Sequence, residues 1–349
     1  MKTKCILPLV LFLSVCLGMG GSVAFHGVAD LDVQDSTIAA VAYFWKGDTM
    51  KYIRTRTVLT VDDGDTLSSD TTFSEEFMIT VRDSTAKGYK MEYIPISSEF
   101  AEASTDDVGN RMMATLQDYF KDLRVVFTTD EYGALKGLDN WKEIRDRMKG
   151  GIKIMLDSLY STTDSLEEFM PRNQLEGLLT LMYSTEAGVL KAYDELTTLF
   201  LLHGNVFDIG RTTVDDTDKD SSFTTFYVGY EPFDEYGTEL DYNIFGITVT
   251  KYTADETGDM LSGVFNILLK DTIAGGLNKI LKDSLDFGMT VTQLEDYHLF
   301  FNGWPSLMRT QKIVKFGPRT KIITDEIDWK YRSWRQYAVK NEEYNMTSF

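Results

Sequence analysis

This sequence has almost no cysteine. Its two cysteines, Cys5 and Cys16, both lie near the N-terminus, so the body of the chain can form no disulfide bond. A chain of 349 residues without disulfides must be stabilised by its hydrophobic core, and chains of this size bury most of their apolar surface on folding. We therefore expect a globular protein that does not depend on covalent cross-links.

Motifs that carry catalysis are also missing. The sequence contains no His-Glu-x-x-His, no Gly-x-Ser-x-Gly and no glycine loop that would hold a phosphate. Ser84 and Lys87 match Ser-x-x-Lys, but they fall in a predicted hairpin loop and the companion motifs of penicillin-recognising enzymes are absent. His203 precedes Gly204 at a predicted helix end, where it would interact with the last carbonyl groups, and His298 is expected to be partly buried or packed across strands. We expect a non-enzymatic protein without a cofactor.

Basic residues are few relative to acidic ones. The chain has 35 Lys and Arg against 54 Asp and Glu, which gives a net charge of −19 at neutral pH. A field of this sign repels nucleic acid and anionic lipid surfaces, and it mainly favours solubility. With 21 Phe, 18 Tyr and 5 Trp, the chain is too aromatic to be disordered.

Residues 1–24 are predicted to be a secretory signal peptide. Lys2 and Lys4 precede an apolar run of about a dozen residues, which is shorter than the roughly 20 that span a bilayer. Small residues place the cleavage site after Ala24, and the protein is then exported to the periplasm, the cell surface or the medium. The alternative is cleavage before Cys16, which would leave a lipid anchor on that residue. No later run is long and uncharged enough to be a transmembrane helix.

Alternating acidic residues offer one weak metal candidate. Asp216, Asp218 and Asp220 have the spacing of the first three ligands of a calcium loop. An EF-hand would then need glycine at Ser221 and glutamate at Tyr227, and the sequence has neither. A solvated turn is the favoured interpretation, so we expect no metal site.

Hydrophobic periodicity predicts strands, then helices, then strands again. Alternation predicts strands at residues 50–61, 73–82, 89–96, 222–230 and 239–252. Spacings of three and four predict helices at residues 141–159, 164–183, 185–202 and 260–285. Gly275-Gly276 is expected to bend or split the last helix. A C-terminal strand is expected to place four residues on one face: Ile323, Ile327, Trp329 and Tyr331.

Three short matches suggest an internal duplication. Residues 60–73, TVDDGDTLSSDTTF, return at 213–226 as TVDDTDKDSSFTTF, with ten of 14 positions identical. An Asp-Glu-Tyr-Gly and a helix with Gly-Gly follow in each half. Because turns commonly use Asp, Ser, Thr and Gly, chance is the alternative. We predict one mature domain, 25–349, and the duplication would divide it into related halves at about 43–204 and 205–340.

The order of the elements predicts an α+β fold, in which a large curved antiparallel sheet has helices packed on one face. This architecture resembles the open half-barrel of bacterial lipoprotein carriers and related lipid-binding proteins, and the chain as a whole is similar to secreted bacterial proteins. The resemblance is one of architecture and implies no site residues.

We expect an exported, non-enzymatic binding protein for an apolar or amphipathic ligand such as a lipid. Flexible methionine suits irregular pockets, and the predicted helices have broad apolar faces, although core packing alone would also explain them. These faces include Met112, Met113, Met148, Met155, Leu261 and Phe265. One alternative is a cell-surface interaction or scaffold protein that binds another envelope protein. Another is a hydrolase, for which the carboxylates are too numerous to name a pair.

Overall fold

A computed structural model describes residues 37–62, 65–100, 115–116, 118–162, 166–215, 222–232 and 240–333. Its strands are β1 (Thr37–Ala39), β2 (Thr49–Asp62), β3 (Asp65–Thr85), β4 (Gly88–Phe100), β5 (Val125–Thr129), β6 (Leu135–Leu138), β7 (Val206–Asp208), β8 (Gly210–Asp215), β9 (Ser222–Pro232), β10 (Leu240–Tyr252), β11 (Met289–Phe300), β12 (Pro305–Phe316) and β13 (Arg319–Ser333).

Eleven of these strands form one antiparallel sheet, in the order β6-β5-β4-β3-β2-β13-β12-β11-β10-β9-β8. The remaining two, β1 and β7, pair with each other. The edge strands β6 and β8 are not paired together, so the sheet is open. The predicted α+β fold with a large open antiparallel sheet is therefore confirmed.

The helices lie mainly between β6 and β7 and between β10 and β11. They are α1 (Trp141–Thr162), α2 (Leu166–Phe169), α3 (Arg172–Met182), α4 (Glu186–Leu190), α5 (Asp194–Leu199), α6 (Ala254–Leu268) and α7 (Asp271–Ser284), with a 3₁₀ turn at Lys191–Tyr193. Pro171 directly precedes α3, where its missing N–H is tolerated and its fixed φ suits the start of a helix.

One face of the large sheet carries the main hydrophobic core, and we call it the inner face. Helices α1, α4 and α5 pack on it together with the segment that contains β1. Burying each large apolar side chain there contributes about 1.5–3 kcal/mol relative to exposure. The core includes Tyr52, Phe77, Ile79, Met91, Phe127, Met308 and Ile327 from strands, and Ile144, Val189, Leu196 and Leu199 from helices.

The predicted helix 260–285 is two helices, α6 and α7, but it does not divide at the glycine pair. A capping box formed by Thr253 and Glu256 starts α6, and the helix ends where Leu269 is extended, with φ −110 and ψ 158. Gly275-Gly276 lies inside α7. The expected split at the glycines is therefore wrong, and the buried Leu269, which packs with Phe265 and Ala274, lies at the turn instead.

The prediction that four residues of the C-terminal strand, β13, share one face is wrong for one of them. The register with β2 shifts between Trp329 and Tyr331, so that Trp329 lies opposite Tyr52 and Tyr331 lies opposite Lys51. A bulge adds one residue to a strand and reverses the faces of those that follow. Tyr331 is therefore on the outer face and 55% exposed, whereas the other three residues remain on the inner face.

The two similar segments, 60–73 and 213–226, both connect neighbouring antiparallel strands of the sheet. Residues 60–73 lead from β2 into β3, and residues 213–226 lead from β8 into β9. The chain also crosses the sheet in the same direction from β2 to β6 as from β8 to β12. The repeated Asp-Glu-Tyr-Gly does not follow this correspondence. Its first copy, at 130–133, joins β5 to β6, whereas its second copy, at 234–237, comes after β9 and lies outside the described residues. Duplication stays a prediction.

Candidate functional site

Arg54 lies on the inner face of β2, at the boundary of the hydrophobic core, and its side chain is 8% exposed. Its Nε and Nη2 donate to the two carboxylate oxygens of Asp325 on β13, both at 2.8 Å. Its Nη1 donates to Glu195 at 2.9 Å and lies 2.8 Å from Asp194, and both acids belong to α5. Arg54 therefore joins two central strands to a helix that covers them.

The carboxyl groups around Arg54 differ in their pKa values. Burial alone would raise the pKa of Asp325, but hydrogen bonds and charge from Arg54 and Arg56 outweigh burial and lower it. Burial raises the pKa of Glu195 to about 8, because desolvation exceeds the attraction of Arg54. Burial also raises the pKa of Glu75, which accepts a hydrogen bond from a buried tyrosine. Asp325 is therefore ionised at neutral pH, while Glu195 largely keeps its proton.

A cavity of about 40 Å³ lies beside these groups, and Thr198, Met308 and Thr310 complete its wall. This volume holds one or a few water molecules. Carboxyl groups with separated pKa values are typical of acid–base catalysis, but here the same arginine binds both. The arrangement fits an ion network that fixes α5 on the sheet. We name it the ion cluster: Arg54, Glu75, Asp194, Glu195 and Asp325.

Beyond the ion cluster, the inner face of the central strands changes in character. Cross-strand neighbours on β2, β13, β12 and β11 are half-buried there, whereas their counterparts in the core are buried. Apolar β-branched side chains alternate with threonine, lysine and glutamine, a mixture found where a protein holds a ligand by its apolar body and a few polar groups. We name this surface the distal inner face: Val58, Thr60, Val291, Gln293, Lys312, Val314, Lys321 and Ile323.

Glu295 lies on the inner face of β11, next to the distal inner face, and is 6% exposed. Gln293 donates a hydrogen bond to its carboxyl group at 2.6 Å. Burial raises the pKa of Glu295, and hydrogen bonds from Gln293 and Tyr297 offset only part of this effect. Its cross-strand partner is Gly246, which has no side chain to cover the carboxyl group.

The hairpin of α6 and α7 connects the ends of β10 and β11 beside the distal inner face. Its apolar residues form a cluster with Leu178 of α3, and this cluster is separate from the core on the sheet. Gln174 of α3 donates a hydrogen bond to the carbonyl of Ile267 at 2.8 Å, which ties the hairpin to the helical layer. Phe287, which follows α7, packs edge-on against Phe316 of β12, with ring centroids 4.7 Å apart. The hairpin is therefore anchored at the turn between its helices and after its second helix.

The outer face of the same strands also carries apolar side chains. Leu59 lies opposite Ile322, Ile322 lies opposite Ile313, and Val249 follows two strands further on. All four are half-buried. We name them the outer apolar row.

The two body histidines lie apart from the ion cluster. His203 is 2% exposed, in the turn after α5, and its Nε2 is 2.8 Å from the carbonyl oxygen of Gly303. Burial lowers the pKa of His203 to about 4. His298 lies on β11 with its Nε2 3.0 Å from Asp296, and its side chain is partly buried, as expected. Neither histidine is close to the distal inner face in register.

The Ser-x-x-Lys match has an ordinary place in the fold. Ser84, at the end of β3, donates a hydrogen bond to the carbonyl of Phe44 at 3.0 Å, and Lys87 is exposed in the following turn. The weak calcium candidates lie outside the described residues: Asp216, Asp218 and Asp220. Within the described ranges, no group of His, Cys, Asp and Glu could hold a metal ion, and no helix is long and apolar enough to span a membrane.

The helical residues proposed to line a pocket pack in three different places. Met148 packs against the core on the sheet, Met155 lies in a cluster with α2 and α3, and Leu261 and Phe265 lie within the α6–α7 hairpin. Met112 and Met113 are outside the described residues. The helices therefore do not present these residues to one common pocket.

The ion cluster and Glu295 were missed in the sequence, although each has a local signal. Arg54 continues the alternation of the buried Met50 and Tyr52, and Asp325 lies between Ile323 and Ile327 on the same strand face. A charged residue in phase with the apolar side of a strand must be paired or neutralised, because burying an isolated charge is costly. This phase relation is the signal that could have identified the cluster.

Comparison with known proteins gives no family for this chain. No protein-family model matches it, and no curated protein is similar to it. Among solved structures, Ail, the attachment invasion locus protein of Yersinia pestis, matches 82% of this chain and 100% of its own, at 7% identity and a TM-score of 0.15. An outer membrane channel from Pseudomonas putida F1 matches 86% and 100%, at 7% identity and a TM-score of 0.12. At TM-scores this low, neither similarity carries an argument.

Proposed function

We propose that this protein is an exported binding protein, which holds an amphipathic molecule such as a lipid between the distal inner face and the α6–α7 hairpin. The observation that carries the proposal is the separate packing of the hairpin. Its apolar residues cluster among themselves and with Leu178 of α3, apart from the core on the sheet, and the sheet strands beside it keep half-buried apolar side chains. Covering such side chains yields about 25 cal/mol per Å² of apolar area removed from water.

The chemistry of the distal inner face supports an amphipathic ligand over a purely apolar one. Val58, Ile323, Val314 and Val291 supply an apolar surface across four adjacent strands. Polar groups interrupt this surface, and a small number of polar groups is what fixes the orientation of a ligand in an apolar site. Export is supported by the N-terminal sequence pattern.

The test compares one substitution on each face of the sheet. Val291→Glu puts a charge on the distal inner face, and Ile313→Glu puts the same charge on the outer apolar row of the neighbouring strand. The protein is titrated with N-phenyl-1-naphthylamine, a neutral dye that fluoresces in apolar sites, and native mass spectrometry detects co-purified lipid. We expect wild type and I313E to bind the dye alike and V291E to bind it at least tenfold more weakly.

Two results would contradict the proposal. If wild-type protein binds neither dye nor lipid, the proposed binding function is refuted. If V291E binds the dye as strongly as wild type, the ligand does not bind at the distal inner face. Urea unfolding midpoints of both variants show whether a loss of binding reflects a loss of folding.

The outer apolar row favours a second candidate, a cell-envelope interaction protein. Its four half-buried residues lie on the face opposite the main core, where a partner protein could cover them. In this case I313E, and not V291E, abolishes crosslinking to the partner in cells. Unchanged crosslinking of I313E would count against this function.

A further inference from the structure

The two edges of the large sheet differ in how they are protected. At the β6 edge, helix α4 contacts the strand, and the carboxylate of Glu186 accepts a hydrogen bond from the backbone N–H of Leu138 at 2.8 Å. The strand β6 is also short, with four residues. Proteins commonly protect a sheet edge in these two ways, because an edge presents unpaired N–H and C=O groups to other chains. The β6 edge is therefore poorly suited to accept a further strand.

The opposite edge, β8, is accessible. Its residues 210–213 are exposed, so both faces of the strand are open to solvent there. Among the described residues, β8 has no backbone partner other than β9. The strand contains neither proline nor lysine, and its register with β9 runs from Gly210 to Asp215 without a bulge. Because every second residue of an edge strand directs its N–H and C=O away from the sheet, β8 can accept a further antiparallel strand.

The sequence of β8, Gly-Arg-Thr-Thr-Val-Asp, is complementary to itself in an antiparallel pair. A two-fold axis through Thr213 places this residue opposite its own copy. Residues two positions before and after it then face each other, so Arg211 lies opposite Asp215 of the partner subunit, and the symmetric pair repeats this contact. Opposite charges directly across two strands stabilise their pairing, whereas like charges destabilise it. The charges of β8 therefore favour a second copy of the same strand in this register.

Contacts with β9 hold two residues of β8 on the face where this pairing needs them. The guanidinium of Arg211 lies over the ring of Tyr227, with 5.5 Å between the guanidinium carbon and the ring centroid. Two residues further on, Oγ1 of Thr213 is 3.1 Å from Oγ1 of Thr225. A guanidinium that stacks on an aromatic ring keeps its N–H donors available to a carboxylate. Arg211 is therefore held at the edge without losing its capacity to bind an acid.

We infer that β8 is a dimerisation edge, at which β8 of one molecule pairs antiparallel with β8 of a second copy around a two-fold axis at Thr213. The two large sheets then continue into one. A two-fold contact uses the same surface on both copies, so the assembly closes at a dimer, and the protected β6 edge does not extend it. Strands β9 and β10 separate β8 from β11, the nearest strand of the distal inner face. The inference is therefore independent of the proposed binding function.

Sedimentation velocity of the full chain, over a range of protein concentrations, measures the dissociation constant of the dimer. We expect wild type to dimerise reversibly. Arg211→Asp and Asp215→Arg each place like charges opposite one another at two symmetric positions, so each should weaken the dimer at least about tenfold. An equal mixture of these two variants should dimerise as strongly as wild type, because every charge then faces its opposite. Lys315→Asp is the matched control, since Lys315 is exposed on β12, away from the edge, and its dimer should be unchanged.

Cysteine substitution tests the register without changing any charge. In a chain whose Cys5 and Cys16 are replaced by serine, Thr213→Cys should form an intermolecular disulfide on mild oxidation, because the residue on the axis faces its own copy. Thr212→Cys is the matched control. Residue 212 faces Val214 of the partner subunit, and two copies of residue 212 are too far apart to be bridged, so crosslinking should be at least about tenfold slower.

Three results would overturn the inference. If wild type stays monomeric at every concentration, β8 does not pair with a second copy, and a strand of another protein becomes its remaining partner. If wild type dimerises but neither charge variant weakens the dimer, the contact lies elsewhere. If the mixture of the charge variants stays monomeric, or Thr212→Cys crosslinks as fast as Thr213→Cys, the register around Thr213 is wrong. Recovery of the dimer in the mixture also shows that both charge variants are folded.

Discussion

Replacing Arg54 with methionine is expected to lower the free energy of unfolding by about 3–5 kcal/mol. Methionine keeps most of the apolar stem of arginine but removes its charge and its donors. Asp325, which is ionised, would keep only Arg56 as a cation, and Glu195, which is 4% exposed and largely keeps its proton, would lose a hydrogen-bond donor. Because removal of one partner leaves buried charge uncompensated, this loss is large against the roughly 5–15 kcal/mol that stabilises a typical domain.

Arg319→Met is the matched control for this experiment. Arg319 also bonds an acid across the junction of β2 and β13, since its Nε lies 3.0 Å from Asp62, but its side chain is 62% exposed. Exposed ion pairs contribute about 0.2–1 kcal/mol. The two variants therefore remove the same kind of side chain from the same pair of strands and differ in burial.

Urea unfolding followed by tryptophan fluorescence measures both variants. With a slope of about 3 kcal/mol per molar urea, Arg54→Met should lower the midpoint by about 1–1.7 M and Arg319→Met by about 0.3 M or less. The deficit of Arg54→Met should shrink as the pH falls from 7 to about 4, because Asp325, left with Arg56 alone, takes up a proton at a higher pH in the variant than in wild type and its uncompensated charge is relieved. Equal midpoints for the two variants, or a deficit independent of pH, would refute the assignment of Arg54 as the compensating charge.

Three further outcomes concern single groups. Glu195 has a raised pKa of about 8, so its contribution to the free energy of unfolding is complete below about pH 4.5 and is lost as the pH rises through 8. Glu195→Gln should therefore gain stability relative to wild type as the pH rises over this interval. Parallel profiles of stability against pH for the two proteins would contradict this expectation. The pH dependence of stability that His203 contributes has the opposite sign, because its pKa of about 4 in the folded protein lies below the unfolded value of 6.5. Its contribution, about 3 kcal/mol in all, is present above pH 6.5 and lost as the pH falls through 4, and His203→Gln should remove this acid sensitivity from urea unfolding curves. Thr253→Ala removes the N-cap of α6 and should cost about 1 kcal/mol, so an unchanged unfolding midpoint would argue against the capping box.

Alternation made the sheet the most predictable part of the fold. The predicted strand 50–61 differs from β2 by one residue at each end, since Met50 and Tyr52 point into the core and their neighbours do not. The first part of β3 was missed, because residues 65–72 are mostly Asp, Ser and Thr, with no apolar alternation. Pairing with β2 makes this stretch a strand, and pairing partners cannot be read from a single segment.

Helix boundaries were less predictable, because local preference yields to tertiary packing. A glycine pair is a weak point of a helix, which made Gly275-Gly276 the natural place for a break. The actual break comes at Leu269, whose side chain is 1% exposed in the cluster that packs α6 against α7. Contacts between two helices cannot be read from the sequence of either one.

The candidate site depends on contacts that sequence reasoning does not reach. Residues 54, 75, 195 and 325 meet in the ion cluster although they are distributed over most of the chain. The distal inner face likewise requires the register of β12 on β13, in which a shift of one residue would move Lys312 to the opposite face from Lys321.

The pairing of β2 with β13 has a consequence for how the chain folds. Arg54 and Asp325 are 271 positions apart, so their contact closes a far longer loop than the hairpins that join neighbouring strands. Loop-closure entropy grows with length, and long-range strand pairing slows folding. Within β2 to β6 and within β8 to β12, each strand pairs with its neighbour in sequence, but the seam between the two sets forms only after β13 has been synthesised. The middle of the sheet therefore stays open until late in folding, and the two strands that border this seam are the last to pair within the chain.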